Sequence, residues 1–139
     1  MKLSARNQIP GKVVNVNESA VNGIVTLEFN GGMISGTISM ASIRELGLAP
    51  GKEAVAVIKA TEVMIGLGEM TLSARNKIKG IVSNINEGAV NAIVTLDIPG
   101  GSHISATISM SAVKELELSV GKEAVAVIKA TSVMFGVEE

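Results

Sequence analysis

Gly51-Lys52-Glu53-Ala54-Val55-Ala56-Val57-Ile58-Lys59-Ala60-Thr61 decides the fold, because the same residues occur again, unchanged, from Gly121 to Thr131. Within each copy, alanine and β-branched valine alternate between a glycine turn and a lysine, the pattern of a strand. Working outward, Leu3-Ser4-Ala5-Arg6-Asn7 returns as Leu72-Ser73-Ala74-Arg75-Asn76. The chain is therefore a tandem repeat, with one unit over residues 1–68 and a second over 69–139, joined by the short turn Gly66-Leu67-Gly68-Glu69-Met70. Each unit sits near the lower size limit for a self-sufficient core, and with no cysteine no disulfide can reinforce it. The halves are expected to pack closely, to share strands, or to bury apolar surface between subunits.

Composition narrows the function classes. Hydrophobic residues make up 47% of the chain, yet aromatic residues only 1%, from Phe29 and Phe135, so stacking platforms for single-stranded nucleic acid are missing. With 12 basic and 13 acidic residues, there is no general basic surface for a phosphate backbone. No apolar run reaches the length of a membrane span, and no signal peptide is evident, so a cytoplasmic protein is expected. One histidine and no cysteine assemble neither a transition-metal site nor a Ser-His-Asp set in both units. An enzyme is not expected.

The order of elements in unit one reads strand, turn, strand, hairpin, strand, short helix, strand. Gly11–Val16 begins a strand, Asn17-Glu18-Ser19 a turn, and Asn22–Phe29 alternates as a half-buried strand. Asn30-Gly31-Gly32 is a hairpin signal, since Asn and Gly accept positive φ. Met33–Met40 gives a third strand. A short helix follows over Ala41–Leu46, with Ser39 or Ser42 as cap and Gly47 as stop. Glu53–Lys59 forms a further strand, and Val63-Met64-Ile65 closes the sheet. Unit two repeats the order, with a hairpin at Pro99-Gly100-Gly101-Ser102-His103 that is one residue longer. The pattern fits an all-β protein of two tandem OB-like small β-barrels, each with a short helix, the alternative being ordinary five-stranded sheets without closure.

The repeated polar positions are the candidates for chemistry. Arg6 and Arg75 each offer a planar fork of donors that never becomes neutral, with Ser4 or Ser73 adding a hydroxyl; the bland alternative is a surface arginine beside a serine cap. Lys59 and Lys129 are compact cations at strand ends, either solvated or converging with the arginines if first and last strands are neighbours. Ser39, Ser42 and Ser109 either cap a helix or donate to an anion at its first turn; Ala112 replaces the second serine in unit two. Ala20-Val21-Asn22 and Ala89-Val90-Asn91 either form a turn in which Asn bonds its own backbone or a backbone nest for an anion. His103 reads as an exposed loop residue.

Taken together, the Ser-Ala-Arg-Asn segments, the Ala-Val-Asn turns and the Gly-Lys-Glu…Val-Ile-Lys-Ala strands resemble the molybdate-binding Mop family, in its tandem, di-Mop form. The resemblance covers both units. It implies a homotrimer of OB-like barrels that binds molybdate or tungstate at subunit interfaces for storage and homeostasis, with the metal held as oxyanion, no cofactor, and no protein atom as direct metal ligand. One kind of site would use Ser4, Ala5, Arg6, Ser39, Ser42, Lys59 and Ala60, and in the second unit Ser73, Ala74, Arg75, Ser109, Lys129 and Ala130. A second kind would use Ala20, Val21 and Asn22, and Ala89, Val90 and Asn91. The resemblance also implies that strands can be exchanged between units. Two rival readings are a molybdate-responsive regulatory module and an OB-type oligonucleotide binder; neither a nucleic-acid nor a membrane partner is expected.

Overall fold

In the computed structural model, which describes residues 2–138, the first repeat forms β1 (Asn7–Glu18), β2 (Asn22–Phe29), β3 (Gly32–Ser39), α1 (Met40–Leu46), β4 (Glu53–Ile58) and β5 (Met64–Gly66). The second forms β6 (Asn76–Glu87), β7 (Asn91–Asp97), β8 (His103–Ser109), α2 (Met110–Glu115), β9 (Glu123–Ile128) and β10 (Met134–Gly136). The alternation read from sequence is realised: along β2 every second residue from Gly23 to Phe29 is buried. The Asn30-Gly31 hairpin joins β2 and β3 with Phe29 opposite Gly32. Serines 39 and 109 cap the two helices, each accepting a backbone N–H, from Ser42 at 3.1 Å and Ala112 at 3.0 Å.

The strands assemble into two antiparallel five-stranded sheets, ordered β10-β4-β1-β2-β3 and β5-β9-β6-β7-β8. Each sheet takes its last strand from the other repeat. Met134–Gly136 pairs with Val57–Val55, and Met64–Gly66 with Val127–Val125. The segment Val63-Met64-Ile65 thus completes the partner's sheet rather than its own. A single 3₁₀ turn at Ala60–Glu62 carries the chain across from β4, and it packs against β8 of the other repeat. The two buried cores are continuous, so neither repeat buries its apolar residues independently.

β1 and β6 are longer than the sequence suggests, and each is bent by a register shift, between Val13 and Asn15 and between Val82 and Asn84. The bend curls the first sheet until its edge strands approach at Gly36. A Cβ built there would fall 2.6 Å from the Phe135 ring and 3.0 Å from the Val133 Cβ. Among the described residues no ladder joins β3 to β10, or β8 to β5. The two hairpin tips also touch: a Cβ on Gly100 would run into the Asn30 carbonyl oxygen, and Asn30 Nδ2 donates to the Gly100 carbonyl at 3.2 Å.

Candidate functional site

Ser4-Ala5-Arg6 leads directly into β1, and Lys59-Ala60-Thr61 leads directly out of β4. Because β1 and β4 are antiparallel neighbours, with Asn7 opposite Ile58, the two segments meet at one end of the sheet. They line a common cavity of about 570 Å³, which the exchanged strand β10 walls with Met134 and Phe135, and to which β8 of the other repeat contributes Thr107. The second repeat builds the same arrangement: Asn76 stands opposite Ile128, and Ser73, Ala74, Arg75, Lys129, Ala130 and Thr131 line a cavity of about 220 Å³ with Thr37 from β3. The convergence of early arginine and late lysine, one of the two alternatives open in the sequence, is present in both copies.

The electrostatics suit an anion. Among the described residues the ion pairs are Lys79 with Glu69 and His103 with Asp97, so Arg6, Lys59, Arg75 and Lys129 have no carboxylate partner. All four are exposed on a single chain. A pair of uncompensated cations facing one hollow repels itself until an anion enters.

The remaining candidates sit elsewhere. Ser39 and Ser42 lie at the start of α1, where the Ser39 hydroxyl donates to the Ser42 hydroxyl at 3.0 Å, and Ser109 lies at the start of α2. One chain does not bring these serines into the Arg-Lys cavities. They adjoin the Ala-Val-Asn turns instead. Asn22 is the register partner of Ser39, and the Met40 and Met110 N–H groups donate to the carbonyls of Val21 and Val90, each at 2.8 Å. Those turns close through backbone oxygen. Ser19 N–H donates to the Asn22 carbonyl at 3.1 Å, and Gly88 N–H to the Asn91 carbonyl at 2.9 Å. The carboxamides of Asn22 and Asn91 make no hydrogen bond among the described residues, so the local side-chain bond weighed above is not formed. Val21 and Val90 are 73% and 74% exposed.

Two features escaped the sequence reading. Thr37 and Thr107 line the cavities, and each occurs at the same place in both copies, whereas Ser42 becomes Ala112. Asn7 and Asn76, the last residues of the repeated tetrapeptide, are the buried polar side chains among the described residues. Their position in register with Ile9 and Ile78 on the inward face was the available signal, since a polar residue at a core position needs a dedicated partner. His103 is exposed as expected, but it opens β8 opposite Asp97 rather than lying in a loop, its Nδ1 2.6 Å from the Asp97 carboxylate.

Fold and cavities together define the class: a duplicated all-β module whose copies exchange their last strands and each hold a cationic hollow. The TOBE domain model matches residues 3–65 and again 72–135, and the chain belongs to that family, in its Mop (molbindin) group. Along its whole length the chain is 37% identical to a molybdenum transport protein ModE of Herbaspirillum seropedicae, of which it covers 53%. Over half of its length it is 64% identical to a probable molybdenum-pterin-binding protein of Haemophilus influenzae, covering all of that protein. A crystal structure of the cytoplasmic molybdate-binding protein ModG with molybdate bound superposes with a TM-score of 0.96 at 45% identity, covering 99% of this chain and 100% of that one. The chain spans about half the length of several curated relatives, including MopA of Rhodobacter capsulatus at 36% identity.

Proposed function

We propose that the protein binds molybdate or tungstate reversibly in the cytoplasm, as a store and buffer, without catalysis. The observation that carries this reading is the pairing, twice over, of an arginine and a lysine without countercharge at one hollow lined by serine and threonine hydroxyls. A tetrahedral dianion accepts hydrogen bonds and donates none, so the arginine, lysine, serine and threonine donors, set in a lining that also holds apolar Leu3, Met134 and Phe135, match it in sign. The likeness to ModG, whose crystal form holds molybdate, supports the choice of anion.

The functional units are the two oxyanion-binding domains at 1–68 and 69–139, each an OB-like barrel completed by the exchanged strand. The working assembly is a homotrimer, which supplies what one chain lacks. Leu3 and Met134, which line the first cavity, and their counterparts Leu72 and Met64 are about half exposed, a surface that a partner subunit would cover. The same contact would bring Ser39, Ser42 and Ser109 of one subunit toward the Arg-Lys hollow of another. Enclosure strengthens each charge-assisted bond by excluding water. The Ala-Val-Asn turns, with their exposed valines, form the second kind of site where three copies meet. Neither a nucleic acid nor a membrane partner is involved in this reading.

Calorimetric titration of the purified protein with molybdate, tungstate, sulfate and phosphate tests the reading. Tight binding of the first two with weak binding of the others is expected; equal, weak binding of all four refutes it. The half-length match to ModE-named proteins favours a second reading, a molybdate-responsive module acting through a partner. A partner retained only with molybdate present would establish that role.

A further inference from the structure

We propose that Thr107 and Thr37 are anion-binding residues, each donating its hydroxyl to the Arg-Lys cavity of the opposite repeat, so that each site is built from both halves of the chain. The inference rests on the reading of these cavities as oxyanion sites and adds a residue class to it.

Three observations converge. Thr107 lines the cavity of Arg6 and Lys59, and Thr37 that of Arg75 and Lys129. Both threonines are half-buried, and their hydroxyls make no hydrogen bond among the described residues. The neighbouring hydroxyls on the same strands are committed: Ser35 and Ser105 each pair with a threonine of the adjacent strand, Thr26 and Thr95, at 2.9 Å. An uncommitted, half-enclosed donor beside two unneutralised cations is complementary to an oxyanion.

The third observation fixes the threonine relative to the arginine. Asn7 follows Arg6 in the chain, and its carboxamide grips Ser105 through both backbone groups, at 2.7 and 2.9 Å. Thr107 lies two residues along β8 from that grip, about 7 Å at the rise of a strand, with its side chain on the same face as Ser105. Asn76 grips Ser35 in the same way, at 2.8 Å twice, two residues before Thr37. The arginine of one repeat and the threonine of the other are therefore registered by a rigid clip rather than by chance proximity.

The test is calorimetric titration of the full chain with molybdate, comparing wild type with Thr107→Val, Arg6→Gln, Arg75→Gln and the pairwise combinations. Valine keeps the branched shape and removes only the hydroxyl. Loss of one hydrogen bond to a charged ligand predicts about tenfold weaker binding at half of the cavity sites in Thr107→Val. The combination with Arg6→Gln should be non-additive, because both residues serve one site, and the combination with Arg75→Gln additive, because they serve two. Wild-type affinity in Thr107→Val, with Arg6→Gln weakened, overturns the threonine assignment and leaves the cavity reading standing. Wild-type affinity in Arg6→Gln overturns the cavity reading itself. Coupling of Thr107→Val to Arg75→Gln instead of Arg6→Gln overturns the composite arrangement. Equal thermal unfolding of Thr107→Val and wild type is expected, and a lowered midpoint with intact affinity would assign the threonine to packing alone.

Discussion

The side chain of Asn7 and the backbone of Ser105 form a two-point clip across 98 positions of sequence: Ser105 N–H donates to Oδ1 at 2.7 Å, and Nδ2 donates to the Ser105 carbonyl at 2.9 Å. β8 is an edge strand, and an asparagine carboxamide carries the same donor and acceptor as a peptide group. Asn7 therefore adds one rung to the second sheet from a residue that belongs to the first. Asn76 does the same for Ser35 on the edge strand β3. This reciprocal clip ties the two sheets together beside both cationic cavities.

Asn7→Ala should destabilise the fold by about 1–3 kcal/mol, since it strands a part-buried donor and acceptor of Ser105 on β8. Asn7→Asp should cost at least as much, because it sets a carboxylate against the Ser105 carbonyl. Urea unfolding checks both; a change below about 0.5 kcal/mol in Asn7→Ala would show that water replaces the clip freely.

Gly36 lies under Phe135, whereas the second repeat has Ala106 at the equivalent place and Ile65 for the phenylalanine. Gly36→Ala should cost about 1–3 kcal/mol by overpacking. Phe135→Ile should recover part of that loss in the double variant, which would then copy the second repeat. Simple additivity in thermal or urea unfolding would argue against direct contact as the cause.

Glu117 holds φ at 52° just after α2, in the position that Gly47 occupies with φ 65° after α1. Left-handed backbone costs a residue with a Cβ about 1–2 kcal/mol, offset in part by the entropy glycine loses on folding. Glu117→Gly should therefore stabilise the protein by about 0.5–1 kcal/mol, and Gly47→Ala should destabilise it by about 1 kcal/mol. The paired shift in unfolding midpoint, opposite in sign, is the expected signature.

Arg6→Ala and Lys59→Ala should each weaken molybdate binding about 10- to 100-fold while leaving assembly intact, because both side chains are exposed and neither anchors the core. Titration and sedimentation measure the two properties separately. Unchanged affinity and stoichiometry in both variants would remove these residues from the site.

Asp97 is held below its ordinary pKa of 3.8, first by the nearby Ser83 hydroxyl and then by its contact with His103. A carboxylate whose folded pKa is depressed contributes stability that is present above 3.8 and lost as pH falls through the lower folded value. The second hairpin should accordingly loosen only in acid. An NMR titration of the Asp97 carboxyl should give a midpoint below that of Asp97 in Ser83→Ala, and equal midpoints would remove the serine as the cause.

How much of this was legible in the chain follows from what each feature depends on. The duplicated Gly51–Thr61 strand, the alternation along Asn22–Phe29, the Asn30-Gly31 hairpin and the serine-capped helices are local, and the sequence states them because propensity and periodicity act over a few residues. The meeting of Arg6 with Lys59 needed the strands they flank to be antiparallel neighbours, which the sequence posed only as a condition and the β1–β4 pairing fulfils. The bulges at Val13/Asn15 and Val82/Asn84 were not visible, because register is set by the partner strand.

By itself, then, the sequence determined a repeated all-β unit with a cationic pair at matching places in each copy. Tertiary structure alone decided which repeat completes which sheet. The strands β5 and β10 are three residues each, too short to specify a partner by their own pattern, and their placement comes from contacts such as Phe135 over Gly36. It also decided that a threonine from the opposite repeat lines each cavity. Packing and hydrogen bonding between residues nearly a hundred positions apart have no periodic trace in the chain; they exist only once both sheets are built.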